Sequence, residues 1–192
     1  LPGFRRFGRG RCGSSGGASN RGRGGRSGRS RRGRSPRSPD GAPSGLTATT
    51  LPLLALAKPG DHVLMVDSVY GPTRRFCELH LRRFGIDVTY YDPLVGAGIA
   101  ALLRPTTTIV FTESPGSLTF EVQDVPAIAA AAHALGARVI LDNTWATPLG
   151  FCAFEHGVDV SVHAATKYIG GHSDVLLGLI VANEATAPAL HR

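Results

Sequence analysis

From residue 43 onward, the chain switches between two patterns of apolar and polar positions. Short continuous apolar runs bounded by turn residues are typical of strands buried on both faces, and longer runs with apolar residues three and four apart are typical of helices. The predicted strands are 62–66, 86–91, 107–113, 137–142, 158–162 and 175–182. The predicted helices are 46–57, 73–85, 98–104 and 125–136. A kink is expected at Pro52 in the first of them. This alternation predicts an α/β domain with a mostly parallel sheet flanked by helices.

The carboxyl ends of the predicted strands carry the candidate chemistry, because ligands of open α/β sheets bind in the crevice beyond those ends. Asp142 closes the strand 137–142, and Lys167 follows the strand 158–162 by a few residues. Asp142 fits a turn or helix-cap residue, and it also fits the counter-charge of a protonated heterocycle. Lys167 fits a loop lysine in a salt bridge, and it also fits a lysine that forms a Schiff base with a cofactor.

Two more features fall at the same predicted edge. Tyr70 follows the strand 62–66, and it fits either a core or turn residue or a platform on which an aromatic cofactor stacks. Gly45 and Leu46 open the first predicted helix, whose N-terminal N–H groups can bind a phosphate. A lysine, an acid, an aromatic ring and a helix N-terminus are together what pyridoxal 5′-phosphate (PLP) requires, since the acid keeps the pyridine nitrogen protonated.

The basic charge of the chain is confined to its first 41 residues. The 192 residues carry a formal net charge of +7, but residues 1–41 hold 12 arginines and one acid, whereas residues 42–192 hold nine basic and 13 acidic residues, a net charge of −4. Low hydrophobicity with high net charge predicts that residues 1–41 are disordered. Three interpretations of this Arg/Gly/Ser-rich segment stay open: a tail that binds RNA or single-stranded nucleic acid, a plain flexible tail, or a frame-shifted translation of a GC-rich gene.

Cysteine usage and hydropathy exclude several classes of protein. Cys12, Cys77 and Cys152 form no CxxC pair, and their odd number argues against a disulfide framework or a zinc site, so no metal is expected. A reduced, cytoplasmic compartment is the simplest interpretation. The longest apolar run, 175–182, is far shorter than the ~20 residues that span a bilayer, and the N-terminus lacks the apolar segment of a secretory signal. We therefore expect no membrane partner.

Five segments carry a resemblance to a known family. They are PSGL, DHVLMVDSVYGPTRRFC, FTESPGSLTFEVQDVPAI, ILDNTWATP and SVHAATKYIGGHSDVLLG, in this order from about Pro43 to the C-terminus. They resemble the Cys/Met-metabolism family of PLP-dependent enzymes, and most closely its cystathionine β-lyase branch. The resemblance implies the large domain of a fold-type I PLP-dependent transferase in residues 42–192, PLP as cofactor, and a homotetramer for the full-length enzyme.

The same resemblance implies a role for each matching position. Lys167 corresponds to the lysine that forms the Schiff base, and Asp142 to the partner of the pyridine nitrogen. Tyr70 corresponds to the residue stacked on the ring, with a part in catalysis. The backbones of Gly45 and Leu46 and the hydroxyl of Thr166 correspond to donors to the cofactor phosphate.

Departures from the family pattern indicate which branch of the family the chain resembles and how much of the family's large domain it contains. Ala164 replaces a serine that many members have three residues before the lysine, and ESPGS replaces the ESPxNP of the γ-lyase and synthase branches. Both differences favour the β-lyase branch. The family's N-terminal arm has no match in residues 1–41, and its C-terminal domain has none after Arg192, so the large domain is expected to be truncated.

The resemblance implies a carbon–sulfur β-lyase that converts a small amino-acid thioether, cystathionine, into homocysteine, pyruvate and ammonia. Two alternatives remain. One is an inactive fragment of such an enzyme. The other is a nucleic-acid-binding protein that acts through its Arg/Gly-rich tail, and it is the less favoured of the two because runs of like charge are usually only solvated.

Overall fold

The strands of the computed structural model form one sheet, and the structure describes residues 36–37 and 39–191. Within these residues the strands are β1 (Asp40–Ala42), β2 (His62–Val66), β3 (Asp87–Tyr91), β4 (Thr107–Glu113), β5 (Arg138–Asp142), β6 (Val160–His163) and β7 (Gly178–Ala182). Their order across the sheet is β1-β7-β6-β5-β4-β2-β3. Strands β6, β5, β4, β2 and β3 are parallel to one another, whereas β7 and β1 pair antiparallel with their neighbours.

Helices connect the strands. They are α1 (Gly45–Leu56), α2 (Gly71–Phe76), α3 (Val125–Ala134), α4 (Thr147–Gly150) and α5 (Ala187–Leu190). α2 continues through a π-helical turn, Cys77–Leu81, and a 3-10 turn, Arg82–Phe84, and further 3-10 turns cover Gly96–Leu102 and Ala153–His156. The predicted α/β domain with a mostly parallel sheet flanked by helices is therefore confirmed.

Local signals explain where the helices start and stop. The side chain of Asp124 caps α3 by accepting a hydrogen bond from the Ala127 N–H at 3.1 Å. Gly85 ends the long helical segment after α2 in the left-handed conformation, with φ of 73°, which glycine adopts without steric cost. No helix in residues 36–37 and 39–191 is long and apolar enough to cross a membrane.

The core lies on both sides of the parallel strands. All residues of β2 and β6 are buried, as expected for strands that are covered on two faces. α1 packs against β6 and β7, whereas α3 packs against β4 and β5. These contacts hold the carboxyl ends of β4, β5 and β6 and the start of α1 in fixed relative positions.

Two predicted elements differ from the structure. The strand predicted over 175–182 starts only at Gly178, because Val175, Leu176 and Leu177 are exposed and lie outside the sheet. Pro52 lies inside one continuous helix α1, where its ring is buried, so the expected kink does not divide the helix.

The sheet also extends into the segment that composition assigns to disorder. Asp40 and Gly41 belong to β1 and pair with Ile180 and Leu179 of β7, and Pro36 forms an isolated bridge with Asn183. The interpretations of residues 1–35 fall outside the described residues.

Candidate functional site

Asp142 ends β5 as predicted, and its side chain is buried at the carboxyl edge of the sheet. One carboxylate oxygen, Oδ1, accepts a hydrogen bond from the Thr144 N–H at 3.0 Å. Burial raises the pKa of Asp142, against the hydrogen bonds from Thr144 and the nearby Lys167 ammonium, which lower it. No salt bridge reaches this carboxylate within the described part of the chain. A buried carboxyl without a cationic partner is suited to receive a proton donor from a ligand.

Glu113 lies beside Asp142, and it is not among the site residues predicted from the sequence. It is the last residue of β4, and it pairs in register with Asp142 of β5. Its Oε2 accepts a hydrogen bond from the Tyr70 N–H at 2.8 Å. Burial and the negative charge of Asp142 raise the pKa of Glu113 to about 8, although the Tyr70 N–H and Lys167 oppose the shift. The rule that selected Asp142, an acid at the carboxyl end of a predicted strand, applies equally to Glu113.

Tyr70 immediately precedes α2, and its ring lies next to Lys167. The Lys167 Nζ is 5.4 Å from the centroid of the Tyr70 ring, which is within the range of a cation–π contact. The Tyr70 side chain is 41% exposed, so one surface of the residue is open to a ligand. Tyr70 is therefore not a core ring.

Lys167 lies in the turn that follows β6. Its N–H donates to the Ala164 carbonyl at 3.0 Å, and its own carbonyl accepts from the Gly171 N–H at 2.7 Å. Lys167 is exposed. No ion pair involves Lys167 within residues 36–37 and 39–191, so the salt-bridge interpretation has no support there.

The start of α1 touches the turn that carries Lys167. A Cβ atom on Gly45 would lie 2.4 Å from Ala164 Cβ, so only glycine fits this contact. Ser44 caps the helix, with its Oγ accepting from the Thr47 N–H at 3.1 Å. Among the described residues, the N–H groups of Gly45 and Leu46 have no hydrogen-bond acceptor, as is usual for the first turn of a helix. These two donors lie where an anion would be stabilised by the helix dipole.

Thr166 precedes Lys167, but its hydroxyl has a partner within the chain. Its Oγ1 donates to the Leu177 carbonyl at 3.2 Å and accepts from the Leu177 N–H at 2.9 Å. A hydroxyl has a single proton to donate. To donate to a phosphate, Thr166 must therefore give up its hydrogen bond to the Leu177 carbonyl.

Thr144 connects the buried acid to the lysine turn, and it too is not among the site residues predicted from the sequence. Its N–H donates to Asp142, and its Oγ1 accepts from the Ala164 N–H at 2.7 Å. Ala164 in turn contacts Gly45 and is hydrogen-bonded to Lys167. Thr144 therefore fixes the distance between the carboxyl end of β5 and the turn after β6.

The structure brings four of the predicted site residues, Gly45, Asp142, Tyr70 and Lys167, into one region, and Leu46 and Thr166 adjoin Gly45 and Lys167 in the chain. An unbroken series of contacts runs through Gly45, Ala164, Thr144, Asp142, Glu113, Tyr70 and Lys167. It combines a primary amine, an exposed aromatic ring, the buried Asp142 carboxyl beside the half-buried Glu113 carboxyl, and unpaired helix N–H groups. This donor set fits PLP, which carries an aldehyde, a flat basic ring and a phosphate. No group of three or more His, Cys, Asp or Glu side chains that could hold a metal ion occurs in the described ranges.

Comparisons with known proteins agree with this chemistry. The family model for the Cys/Met metabolism PLP-dependent enzymes matches residues 41–191. The chain is 48% identical over 143 residues to the cystathionine beta-lyase MetC of Escherichia coli, which covers 73% of this chain and 36% of that protein. It is 44% identical over 140 residues to the L-alanine/L-glutamate racemase of Wolbachia pipientis, which covers 73% of this chain and 34% of that protein.

A solved structure has the same fold. The crystal structure of cystathionine gamma-lyase from Lactobacillus plantarum complexed with L-serine superimposes with a TM-score of 0.75 and 34% identity, over 79% of this chain and 40% of that one. The domain therefore has the α/β fold-type I architecture of PLP-dependent enzymes. The chain spans little more than a third of the length of the relatives described above. By its sequence match and its fold, the chain belongs to the Cys/Met metabolism family of PLP-dependent enzymes.

Proposed function

We propose that the chain forms the PLP-binding part of a carbon–sulfur β-lyase, which uses water to convert cystathionine into homocysteine, pyruvate and ammonia. The observation that carries the proposal is the position of the Lys167 amine, 5.4 Å from the Tyr70 ring and next to the buried Asp142 carboxyl. PLP, when bound, supplies an electron sink that stabilises negative charge at the substrate Cα. The remaining tasks of binding, orientation and proton transfer belong to the protein.

Each predicted site residue receives a binding role in this proposal. The Lys167 Nζ holds the cofactor covalently, and the Asp142 carboxylate accepts a hydrogen bond from the protonated ring nitrogen. Tyr70 packs its ring on the cofactor ring. The N–H groups of Gly45 and Leu46 bind the phosphate, and Thr166 adds its hydroxyl after releasing Leu177.

Lys167 also carries the proton transfer. A neutral Lys167 Nζ would accept the proton from the substrate Cα, as a general base. The Tyr70 ring lies next to this amine and limits the directions from which the substrate approaches. Lys167 and Tyr70 are therefore the two residues to which we assign catalytic roles.

The choice of β-elimination rests on sequence features within the family. ESPGS at 113–117 and Ala164 match the pattern of the β-lyase branch, and the E. coli relative is named a cystathionine beta-lyase. A racemase and a γ-lyase are also similar to this chain. A racemase also moves the Cα proton but breaks no carbon–sulfur bond, so it releases no thiol. γ-Elimination from cystathionine releases cysteine and 2-oxobutyrate, so homocysteine and pyruvate as products identify β-elimination.

The proposal extends to partners and location. The substrate is a small amino-acid thioether, the full-length enzyme is a homotetramer, and the location is the cytoplasm. We assign neither a membrane nor a nucleic acid as a partner. The alternative of a nucleic-acid-binding tail depends on residues 1–41, and RNA binding that survives deletion of residues 42–192 would support it.

Reconstitution with PLP tests the proposal directly. The wild-type chain should show a new absorbance band near ~420 nm, and borohydride reduction followed by peptide mass spectrometry should locate the cofactor on Lys167. Lys167→Ala should lose the band. Lys58→Ala is the matched control, because Lys58 is the only other lysine and forms a salt bridge with Asp61 at 2.6 Å.

Product analysis then separates the reaction types. Thiol and pyruvate formed from cystathionine by the full-length protein would support β-elimination. We expect weak turnover, or none, from the 192-residue chain alone. An undiminished band in Lys167→Ala, or no band in the wild type, would refute the assignment.

A further inference from the structure

Glu113 occupies a position that the proposed function does not use. It closes β4 at the point where β5 ends in Asp142, and residues in register on neighbouring parallel strands point to the same face of the sheet. Its Oε2 reaches 43 residues back along the chain to the N–H of Tyr70, at 2.8 Å. One carboxyl group thus contacts the residue that carries the ring and lies beside the buried acid.

We propose that Glu113 is a positioning residue of the cofactor site, which fixes the backbone of Tyr70 from the end of β4 and sets the net charge beside Asp142. This inference rests on the proposed function, because it assumes that the Tyr70 ring and Asp142 both face PLP. It adds a residue that the motif positions alone did not assign.

The backbone of Glu113 is itself held by a buried network, so it is a rigid anchor. The Gln123 side chain donates from Nε2 to the Glu113 carbonyl at 2.6 Å. The Tyr91 hydroxyl donates to Gln123 Oε1 at 2.8 Å, and both Tyr91 and Gln123 are buried. The hydrogen bond from Tyr70 therefore ties the start of α2 to the sheet, since α2 has no side-chain cap of its own.

The charge on Glu113 depends on three neighbours. Asp142 from β5 and Lys167 from the turn after β6 are the charged groups that act on it, and Tyr70 supplies its N–H. Burial and the repulsion from Asp142 raise the pKa of Glu113 to about 8. Near neutral pH the two carboxyls therefore carry fewer than two negative charges, and the second charge appears as the pH rises past 8.

Three variants separate the hydrogen bond from the charge. Glu113→Gln keeps an oxygen that accepts the Tyr70 N–H but has no titratable proton, whereas Glu113→Ala removes both. Glu184→Gln is the matched control, because Glu184 is exposed.

The Kd for PLP is measured by quenching of Trp145, the single tryptophan, at pH 6.5, 8.0 and 9.5. Visible circular dichroism of the bound cofactor reports the environment of its ring, and thermal melts check folding.

The expected results differ for each variant. Glu113→Ala should raise the Kd for PLP by ~3–10-fold, because one hydrogen bond is lost. It should also weaken the dichroic band of the bound cofactor. Glu113→Gln should match the wild type at pH 6.5 in both measurements. The Kd of Glu113→Gln divided by the Kd of the wild type should be at least ~3-fold larger at pH 9.5 than at pH 6.5. The reason is that the second carboxylate of the wild type attracts the protonated ring at the higher pH. Glu184→Gln should follow the wild type throughout.

Several results would overturn the inference. One is a Glu113→Ala variant with wild-type affinity and dichroism. Another is a ratio of the Kd of Glu113→Gln to the Kd of the wild type that stays constant between pH 6.5 and 9.5, or that falls as the pH rises. If Glu113→Ala does not fold, the pH profile of Glu113→Gln decides. If the wild type itself does not bind PLP, the proposed function fails together with the inference, whereas normal binding with unaffected Glu113 variants overturns the inference alone.

Discussion

Gly45 lies against Ala164 with no room for a side chain, since a Cβ atom on Gly45 would be 2.4 Å from Ala164 Cβ and 2.8 Å from Ala164 Cα. Because the nearest atoms include backbone, the contact cannot be relieved by a rotamer change. It sets the distance between the first N–H groups of α1 and the turn that carries Lys167. The phosphate donors and the amine are thus placed by one glycine–alanine contact.

Gly45→Ala should therefore push the start of α1 away from the lysine turn. We expect the free energy of unfolding to fall by about 1–3 kcal/mol, the usual cost of overpacking, and the affinity for PLP to fall with it. Urea unfolding and cofactor titration measure the two effects. Gly41→Ala is the control, because a Cβ on Gly41 meets no atom within 4 Å. Equal stability and affinity in the two variants would contradict this account of Gly45.

Most of the parallel sheet could be predicted because its strands are short apolar runs, which is the pattern of strands buried on both faces. The same rule predicts too long a strand for β7, because Val175, Leu176 and Leu177 are apolar but exposed. An apolar run indicates burial, but it does not say at which residue the chain enters the sheet. Leu177 there is hydrogen-bonded to Thr166, outside the register of β6 and β7.

The site was predictable in its residues but not in its internal contacts. Asp142 and Lys167 stand out because strand ends collect ligand-binding residues. Glu113 ends a predicted strand too, yet its meaning comes from its contacts with Tyr70 and Asp142, which lie far away in the sequence. Likewise β1 forms through main-chain hydrogen bonds, which the composition of residues 1–41 does not reveal. Pairing between residues far apart in the sequence depends on the order of strands in the folded sheet, which local composition does not contain.

The Tyr70 ring should contribute to PLP binding by its aromatic surface and not by its hydroxyl. Its backbone N–H is already bonded to Glu113, and the ring is the part that lies next to Lys167. Tyr70→Phe should therefore keep the affinity for PLP within about twofold, whereas Tyr70→Ala should lose ~3–10-fold, the value of an aromatic stacking contact. Titration of Trp145 fluorescence measures both. A Phe variant as weak as the Ala variant would assign the effect to the hydroxyl.

The stability of the unliganded protein should depend on Glu113 between pH 4.5 and about 8. The ordinary pKa of a glutamate is 4.5, whereas burial and Asp142 raise that of Glu113 to about 8 in the folded state. Between these values the folded chain holds the proton that the unfolded chain has released, so the free energy of unfolding falls as the pH rises, by up to ~1.4 kcal/mol per pH unit.

Glu113→Gln should remove this contribution, so its unfolding free energy should fall less steeply between pH 5 and 8 than that of the wild type. Because Glu113 and Asp142 act on each other, the difference between the two proteins reports the coupled ionisation of the pair. Urea unfolding at four pH values in this window measures the difference. Parallel curves for the two proteins would show that Glu113 ionises normally.

Asp142 should oppose stability and support cofactor binding at the same time. Its carboxyl is buried without an ion-pair partner in the described chain, and burial raises its pKa, so the ionised form costs free energy in the unliganded protein. Asp142→Asn keeps an oxygen for the Thr144 N–H and removes the charge. The unliganded variant should therefore melt at a higher temperature than the wild type at pH 8.

The same substitution should weaken PLP binding, because a neutral amide does not hold a proton on the ring nitrogen as a carboxylate does. A hydrogen bond to a charged group contributes ~1.5–3 kcal/mol, which corresponds to an increase in Kd of ~10–150-fold. Melting curves and cofactor titrations of Asp142→Asn, compared with Glu184→Gln, test both directions together. A variant that is less stable and binds PLP normally would show that Asp142 is a structural turn residue, and opposite changes in stability and affinity would identify it as a residue kept for the cofactor.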